Sequence, residues 1–372
     1  MTVYLVRRLL LIVPTLLGIA LVVFFIMKAA PGDVAEMLIN REGQMQAGDR
    51  LARVTYLKER YGLDDPTPVQ FVRWLNKVSP VGVWVEQEDR STGLGLPVGQ
   101  SKKGNTRRLG FKTPDLGESF VKNRPVLDLI AEALPVTLLL NLLSIPLVYS
   151  IAIVTGIYAA RHRGKAFDVG SGVMMLGMWS IPTIWAGVLL IGFLANKQYI
   201  QWFPTAGMHD VQANAMSFLP RFGEAGFERG WLLDMLWHLF LPVVCLSYAG
   251  FAFLAKLTRG AVLENLRADF VRTARAKGVA ESDVLWHHVF RNSLLPLITV
   301  AAYILPGMLA GSLIVEVIFT LPGMGKLMIE SIEFKDQEVV MSVTLISGIL
   351  TLLSYLVADM LYAVADPRVS YD

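Results

Sequence analysis

The sequence predicts an all-α, polytopic membrane protein with six transmembrane helices. Three observations carry that prediction: the composition, six apolar runs of membrane-spanning length, and the one-sided placement of basic loop residues. Of 372 residues, 54% are hydrophobic and only 17% charged, well off the balance of a soluble chain. The net charge of +3 is small and the basic residues form no long stripe, which argues against nucleic acid as a partner. Cys245 is the only cysteine, so neither a disulfide framework nor a cysteine-built metal site fits within the chain, and the redox compartment stays unreadable.

The first run, Leu9 to Met27, follows Arg7 and Arg8 and is longer than the roughly 7–15 residues of a secretory apolar region, so an uncleaved span is expected. Five later runs reach the about 20 residues needed to cross the hydrocarbon: Pro135 to Ala159, Val169 to Ala195, Trp237 to Ala255, Leu294 to Val317 and Met341 to Ala363. With the N-terminus inside, Arg7 and Arg8, then Arg161, Arg163 and Lys165, then seven Lys and Arg residues from Lys256 to Arg291 all fall in the cytoplasm. The opposing loops, 196–236 and 318–340, carry three and two basic residues, and both termini end inside.

Three regions follow: an N-terminal transmembrane helix over 1–30, a large segment outside the membrane over 31–134, and a five-helix core over 135–372 with a cytoplasmic loop at 256–293. In the middle region, YLKERYGLDDPTPVQFVRWLNKV reads as an amphipathic helix ended at Gly62, an Asp-Asp-Pro turn, and a second helix carrying Val69, Phe71, Val72, Trp74 and Leu75. The stretch 79–113 is rich in glycine and polar residues, holds Lys102, Lys103, Arg107 and Arg108, and reads as an inserted, solvated loop.

Catalytic signatures are missing. Gly325-Lys326 lacks the upstream glycine and following hydroxyl of a phosphate loop, and no H-E-x-x-H or G-x-S-x-G occurs. His287 and His288 are adjacent, about 100° apart on a helix, and have no further ligand nearby in the loop. The pattern is that of a conduit without an active site of its own.

Residues costly in lipid mark where a conduit would run. Glu316 lies toward the outer end of the fifth run and Asp359 in the inner part of the sixth; each either ties a helix to its neighbour or meets substrate, and both readings stand at this level. Pro146, Pro182 and Pro306 fall within spans, and Ser180, Pro182 and Trp185 form a candidate lining group, with simple helix-packing kinks as the alternative.

The polar stretch RTARAKGVAESDVLWHHVFRNSLLP, Arg272 to Pro296, stands between two apolar runs. Asp269 to Lys277 has helix formers and a basic last turn, Gly278 is a natural stop, and Glu281, Ser282 and Asp283 put acidic groups at the start of a second helix running to Leu294. Two short helices meeting at a glycine form a compact cytoplasmic knob, the kind of feature on which another subunit could act. A loop that only fixes topology is the alternative.

RTARAKG followed by HVFRNSLLP resembles the cytoplasmic coupling loop of membrane permeases of ABC importers, in the dipeptide and oligopeptide branch. The resemblance extends over nearly the whole chain through VRRLL, GLDDP, DLGES at Asp115, NRPVLDLI at Asn123, SIP at Ser180, FP at Phe203, GSLIVEVIFTLPGMG from Gly311 and DPR at Asp366. Among these permeases it looks most like the B-type subunit of Yej-type peptide importers. The pattern departs from the wider family in having Arg272, Thr273 and Ala274 where Glu-Ala-Ala is usual, in Ala280 where a serine would cap, and in a longer 79–113 insertion.

The resemblance implies a type I importer fold and a multi-pass protein of the bacterial inner membrane. It implies a second, C/E-type permease, two ATPase domains that are separate or fused, and an extracytoplasmic peptide-binding protein. ATP and Mg would be held by the ATPases, with no cofactor on this chain and no catalysis by it. Contact with the ATPase would fall on Arg272, Thr273, Ala274, Arg275, Ala276, Lys277, Gly278, Val279 and Glu281. An ion-coupled secondary peptide transporter is the alternative, although the inverted repeats and midplane carboxylates such a protein would show are not evident.

Overall fold

The computed structural model describes residues 2–30, 55, 65–85, 107–223, 226–310 and 312–365. The first half of the expected amphipathic pair, Lys102 and Lys103, and the DPR motif lie outside them. The chain divides into two compact units: Met1–Leu9, Glu132–Leu327 and Ile349–Asp372 form one, and Leu10–Ala131 with Met328–Gly348 the other.

Among the described residues, four helices are long and apolar enough to cross a membrane: α1 (Thr2–Ala29), α3 (Val126–Arg161), α6 (Gly230–Asn265) and α12 (Gln337–Ala365). At 1.5 Å per residue the 36 residues of α3 or α6 reach roughly 54 Å, well beyond the about 30 Å of hydrocarbon, so both carry their ends into the aqueous layers. Hydroxyls and amides inside these apolar helices bond carbonyls one turn back: Ser144 to Leu140 at 2.7 Å, Thr258 to Leu254 at 2.8 Å, and Asn141 Nδ2 to Thr137 at 2.8 Å. A polar group buried among apolar helices is thereby satisfied without leaving its own helix.

The third expected span is not one helix. It is α4 (Ala166–Ser180) and α5 (Thr183–Leu190, continuing as a π turn over Ile191–Ala195), bent by 96° at Ile181-Pro182. Proline denies its predecessor the helical region, and Ile181 accordingly sits at ψ 118°. The freed Ile181 carbonyl accepts the Tyr248 hydroxyl at 2.5 Å. The fifth is also interrupted: α9 (Arg291–Ala310) stops before Ser312, and α10 (Leu313–Ile318) is a separate short helix that holds Glu316. Among the described residues the six expected spans are thus represented by four long apolar helices, one bent pair, and α9 followed by the short α10.

The smaller unit is built on α2 (Thr67–Val78), whose Phe71, Trp74 and Val78 pack with Ala20 and Phe24 of α1 and Met341 of α12. Phe24 and Phe71 meet edge to face at 5.2 Å. Val69 and Val72, on the same helix, are exposed.

The chain is not purely α. Beyond α2, β1 (Val81–Val85) and β2 (Arg107–Phe111) pair antiparallel from Val81↔Phe111 to Val85↔Arg107, so the insertion starts and ends on a two-stranded ribbon. Asn76 fastens it to α2, donating to the Val83 carbonyl at 2.9 Å and accepting its N–H at 2.8 Å. The DLGES motif and the two residues after it close on Asp336, which accepts from the Ser119 hydroxyl and, at 3.3 Å each, from the Phe120 and Val121 N–H groups.

Candidate functional site

The expected elbow is formed as a continuation of α6. After Asn265 the chain turns through Leu266–Ala268 into α7 (Asp269–Ala276), reverses at Gly278, and enters a helix that starts as α8 (Glu281–Asp283), runs as a π segment over Val284–Phe290, and joins α9. Gly278 has φ +79°, the left-handed region that penalises any Cβ. Its N–H bonds the Arg275 carbonyl at 3.0 Å and the Val279 N–H bonds the Ala274 carbonyl at 3.2 Å, which is the Schellman closure of a helix end. A Cβ on Gly278 would meet nothing within 4 Å, so the requirement for glycine there is conformational and not a matter of space.

Beneath the elbow, Val271 and Ala274 of α7 and Val284, Leu285 and Val289 of the following helix are buried against Ile157, Ala160 and Val262 of α3 and α6. The closing apolar contact of the motif comes from Val279, packed on the same cluster. Above it, Arg275 forms a bidentate pair with Glu281, Nε to Oε1 at 2.7 Å and Nη2 to Oε2 at 3.1 Å, spanning the glycine. That bond holds the Glu281 carboxyl below the usual carboxylate range. Thr273 Oγ1 bonds the Asp269 carbonyl at 2.9 Å and Arg272 reaches Asp269 Oδ1 at 3.4 Å, while Ala276 and Lys277 are exposed. Arg275 and Glu281, expected to face a partner, thus also fasten the elbow to itself. The second helix has Ala280 at its N-cap and no side-chain cap.

Two ties that the sequence did not reveal lie next to the elbow. Asp168, buried in the first turn of α4, takes a bidentate pair from Arg259 of α6, with Nη2 to Oδ2 at 2.8 Å, and accepts the Gly164 N–H at 2.9 Å. Asn265 Nδ2 donates to Ser293 Oγ at 3.1 Å, joining the end of α6 to the start of α9. In the sequence Arg259 stands out only as a positive loop charge. A lone aspartate opening an apolar run beside a basic loop was the available signal.

The remaining candidates are not brought into one cluster. Ser180 bonds its own helix at the Leu176 carbonyl, 2.8 Å away, and with Pro182 and Trp185 surrounds the 96° bend, where Trp185 is 61% exposed. Glu316 is fully buried. Its carboxylate accepts from Thr137 Oγ1 at 2.9 Å, from Ser312 N and Oγ at 3.1 Å each, from Gly325 N at 2.7 Å and from Lys326 N at 3.1 Å. The last two are N–H groups in the first turn of α11 (Met324–Glu333), where a carboxylate is favoured. A Cβ on Gly323 would fall 2.4 Å from Glu316 Oε2, which explains the glycines of LPGMG. Asp359 of α12 pairs with Arg8 of α1.

Comparison with known proteins agrees with the motifs. Residues 152–371 match the family described as the binding-protein-dependent transport system inner membrane component, and residues 1–93 match the N-terminal part described for such membrane components. The oligopeptide transport system permease protein AppB of Bacillus subtilis is 36% identical over 372 residues, covering 100% of both chains. The inner membrane ABC transporter permease protein YejB of Escherichia coli O157:H7 is 34% identical, covering 99% of each. The di/tripeptide transport system permease protein DppB of Pseudomonas aeruginosa is 31% identical, covering 99% of this chain and 98% of its own. The elbow, the apolar helices and these full-length matches lead to one conclusion: the chain belongs to the family of inner-membrane components of binding-protein-dependent transport systems.

Proposed function

We propose that this chain is the B-type permease of an ATP-driven peptide importer in the bacterial inner membrane, and that with a C/E-type permease it forms the translocation pathway. The observation that carries the reading is the elbow. A Schellman turn at Gly278, packed from beneath by the ends of α3 and α6, gives a cytoplasmic knob with a fixed shape and an exposed outer face. A partner pushing on that face would move α6 and α9 together, because the Asn265–Ser293 bond and the shared apolar cluster link them.

In this account the ATPases hold ATP and Mg, a binding protein delivers the peptide on the opposite side, and both termini of this chain are cytoplasmic. Peptide as the substrate class rests on the names of the relatives, which are oligopeptide and di/tripeptide permeases. The bend at Ser180, Pro182 and Trp185 is the part of the fold best suited to line the path. It interrupts the helix, exposes an indole, and leaves the Ile181 carbonyl bonded to a neighbouring helix. Glu316 and Asp359, both engaged by partners within the chain, act as pins under this reading.

Purification in mild detergent tests the assembly. A second permease and an ATPase should accompany the chain, and proteoliposomes containing them should take up peptide only with ATP and the binding protein present. A lone chain whose uptake follows an ion gradient would replace this reading with a secondary transporter.

A further inference from the structure

The loop before α6 ends in a feature that the transport reading does not use. Strands β3 (Arg221–Gly223) and β4 (Gly226–Glu228) pair antiparallel with Phe222 opposite Phe227, which puts the two rings on one face of the ribbon, 5.5 Å apart. Phe222 is 86% exposed and Phe227 57%. The flanking charges neutralise each other across the strands, Arg221 Nε to Glu228 Oε2 at 2.6 Å. An exposed aromatic pair above a self-compensated ion pair is poorly suited to water.

The ribbon is fixed in place relative to the span. Trp231 N bonds the Ser217 carbonyl at 2.7 Å and Leu232 N bonds the Phe218 carbonyl at 3.1 Å, so the chain entering the ribbon is tied to the first turn of the helix that leaves it. Gly230, at φ +71°, makes the junction, and a Cβ there would lie 2.5 Å from the Leu219 carbonyl carbon. Counting about 20 residues back from Lys256 puts the hydrocarbon edge near Trp237. The ribbon then sits roughly 10 Å further out along the axis of α6, at the outer margin of the headgroup layer. Trp202, whose carbonyl accepts Trp237 Nε1 at 3.0 Å, is 66% exposed at that same edge, and Phe218 and Leu219 are exposed beside it.

We infer that the Phe222–Phe227 ribbon, with Trp202, Phe218 and Leu219, is a lipid-docking surface that rests in the headgroup layer at the β-ribbon end of α6. The partner is the bilayer interface itself, argued from continuity of the patch with a membrane-spanning helix. The Trp202 indole, apolar with a polar N–H, favours this layer, and the Phe and Leu side chains bury apolar surface at its acyl boundary. The inference depends on α6 being a span and not on which substrate is carried.

The test places an environment-sensitive fluorophore on Phe222→Cys in the assembled complex, reconstituted in phosphatidylcholine vesicles, with Val211→Cys, 99% exposed in the preceding loop, as a comparison site. Cys245 is 1% exposed and is replaced by Ala in both constructions. The expected result is blue-shifted emission at position 222, with quenching strongest from lipids spin-labelled at the headgroup or upper acyl chain and weak from aqueous iodide. Phe227→Cys should give the same order of quenching. A water-like spectrum quenched by iodide and not by spin-labelled lipid would overturn the inference. So would protection that appears only when the binding protein is added, which would make the surface a protein dock. Either result would leave ATP-dependent uptake, and hence the transport reading, standing.

Discussion

The elbow around Gly278 and the cradle around Glu316 are both short turns joining helices, yet they are held in opposite ways. The elbow is shaped by backbone geometry and an apolar cluster beneath it, and its polar fastening, Arg275 to Glu281, lies in water. The cradle is shaped by one buried carboxylate that collects five hydrogen bonds from Thr137, Ser312, Gly325 and Lys326. A turn built from below keeps its outer surface available to a partner; a turn built around an enclosed charge has no surface to offer. The first arrangement suits a part that is pushed, and the second a part that must not move.

That contrast can be broken most forcefully at the cradle. Glu316→Ala leaves buried N–H and hydroxyl groups without an acceptor, and a loss of about 3 kcal/mol or more is expected. Thermal unfolding of the purified complex would show a large fall in the midpoint, with assembly itself lost; a nearly unchanged midpoint would mean the carboxylate is not the organiser. Arg259→Ala comes next. It strands Asp168, 6% exposed, with only the Gly164 N–H, and because the guanidinium is partly solvated the expected cost is about 2 kcal/mol. Asp168→Asn in the same background should restore part of the stability, since it removes the unpaired charge, and a double-mutant cycle measures how much.

The smallest effect should be at Arg275. Its pair with Glu281 is exposed, so Arg275→Ala should leave the melting midpoint almost unchanged. Because the pair lowers the Glu281 carboxyl, its contribution is present above the ordinary glutamate range and fades as pH falls through the lowered folded value. The difference between wild type and Arg275→Ala should therefore be largest near neutral pH and vanish in acid; a difference that grows in acid would contradict the pairing.

Much of the elbow was legible in the sequence because its determinants are local. The helix formers from Asp269, the glycine at 278 and the acidic start at Glu281 each act within a turn or two, and the structure has all three where the sequence put them. The cradle was only half legible. Glu316 stood out as a carboxylate costly in lipid, but its partners at 137 and 325 are brought to it by the fold, and no spacing rule links them. The Asp168–Arg259 pair was missed for the same reason, its members lying 91 positions apart.

The two interrupted spans show what a hydropathy run does not encode. Ser180-Ile181-Pro182 contains the signal for its break, since a proline restricts the residue before it, but a kink and a 96° bend read alike in sequence. The 79–113 insertion carried almost no pattern, so its ribbon at β1 and β2, anchored by Asn76, could not be anticipated from composition.

If the elbow transmits force because its shape is fixed, Gly278→Val should uncouple the assembly. A β-branched residue at φ +79° would incur roughly 1–2 kcal/mol of strain or reorient the turn, while the apolar helices that insert the chain stay untouched. The measurement is peptide uptake and ATP turnover of the variant reconstituted with its second permease, ATPases and binding protein. The account predicts a complex that inserts normally, takes up little peptide, and either loses its ATPases or hydrolyses ATP without response to the loaded binding protein. Wild-type uptake with wild-type ATP turnover would contradict it and reduce the stretch to a loop that only sets topology.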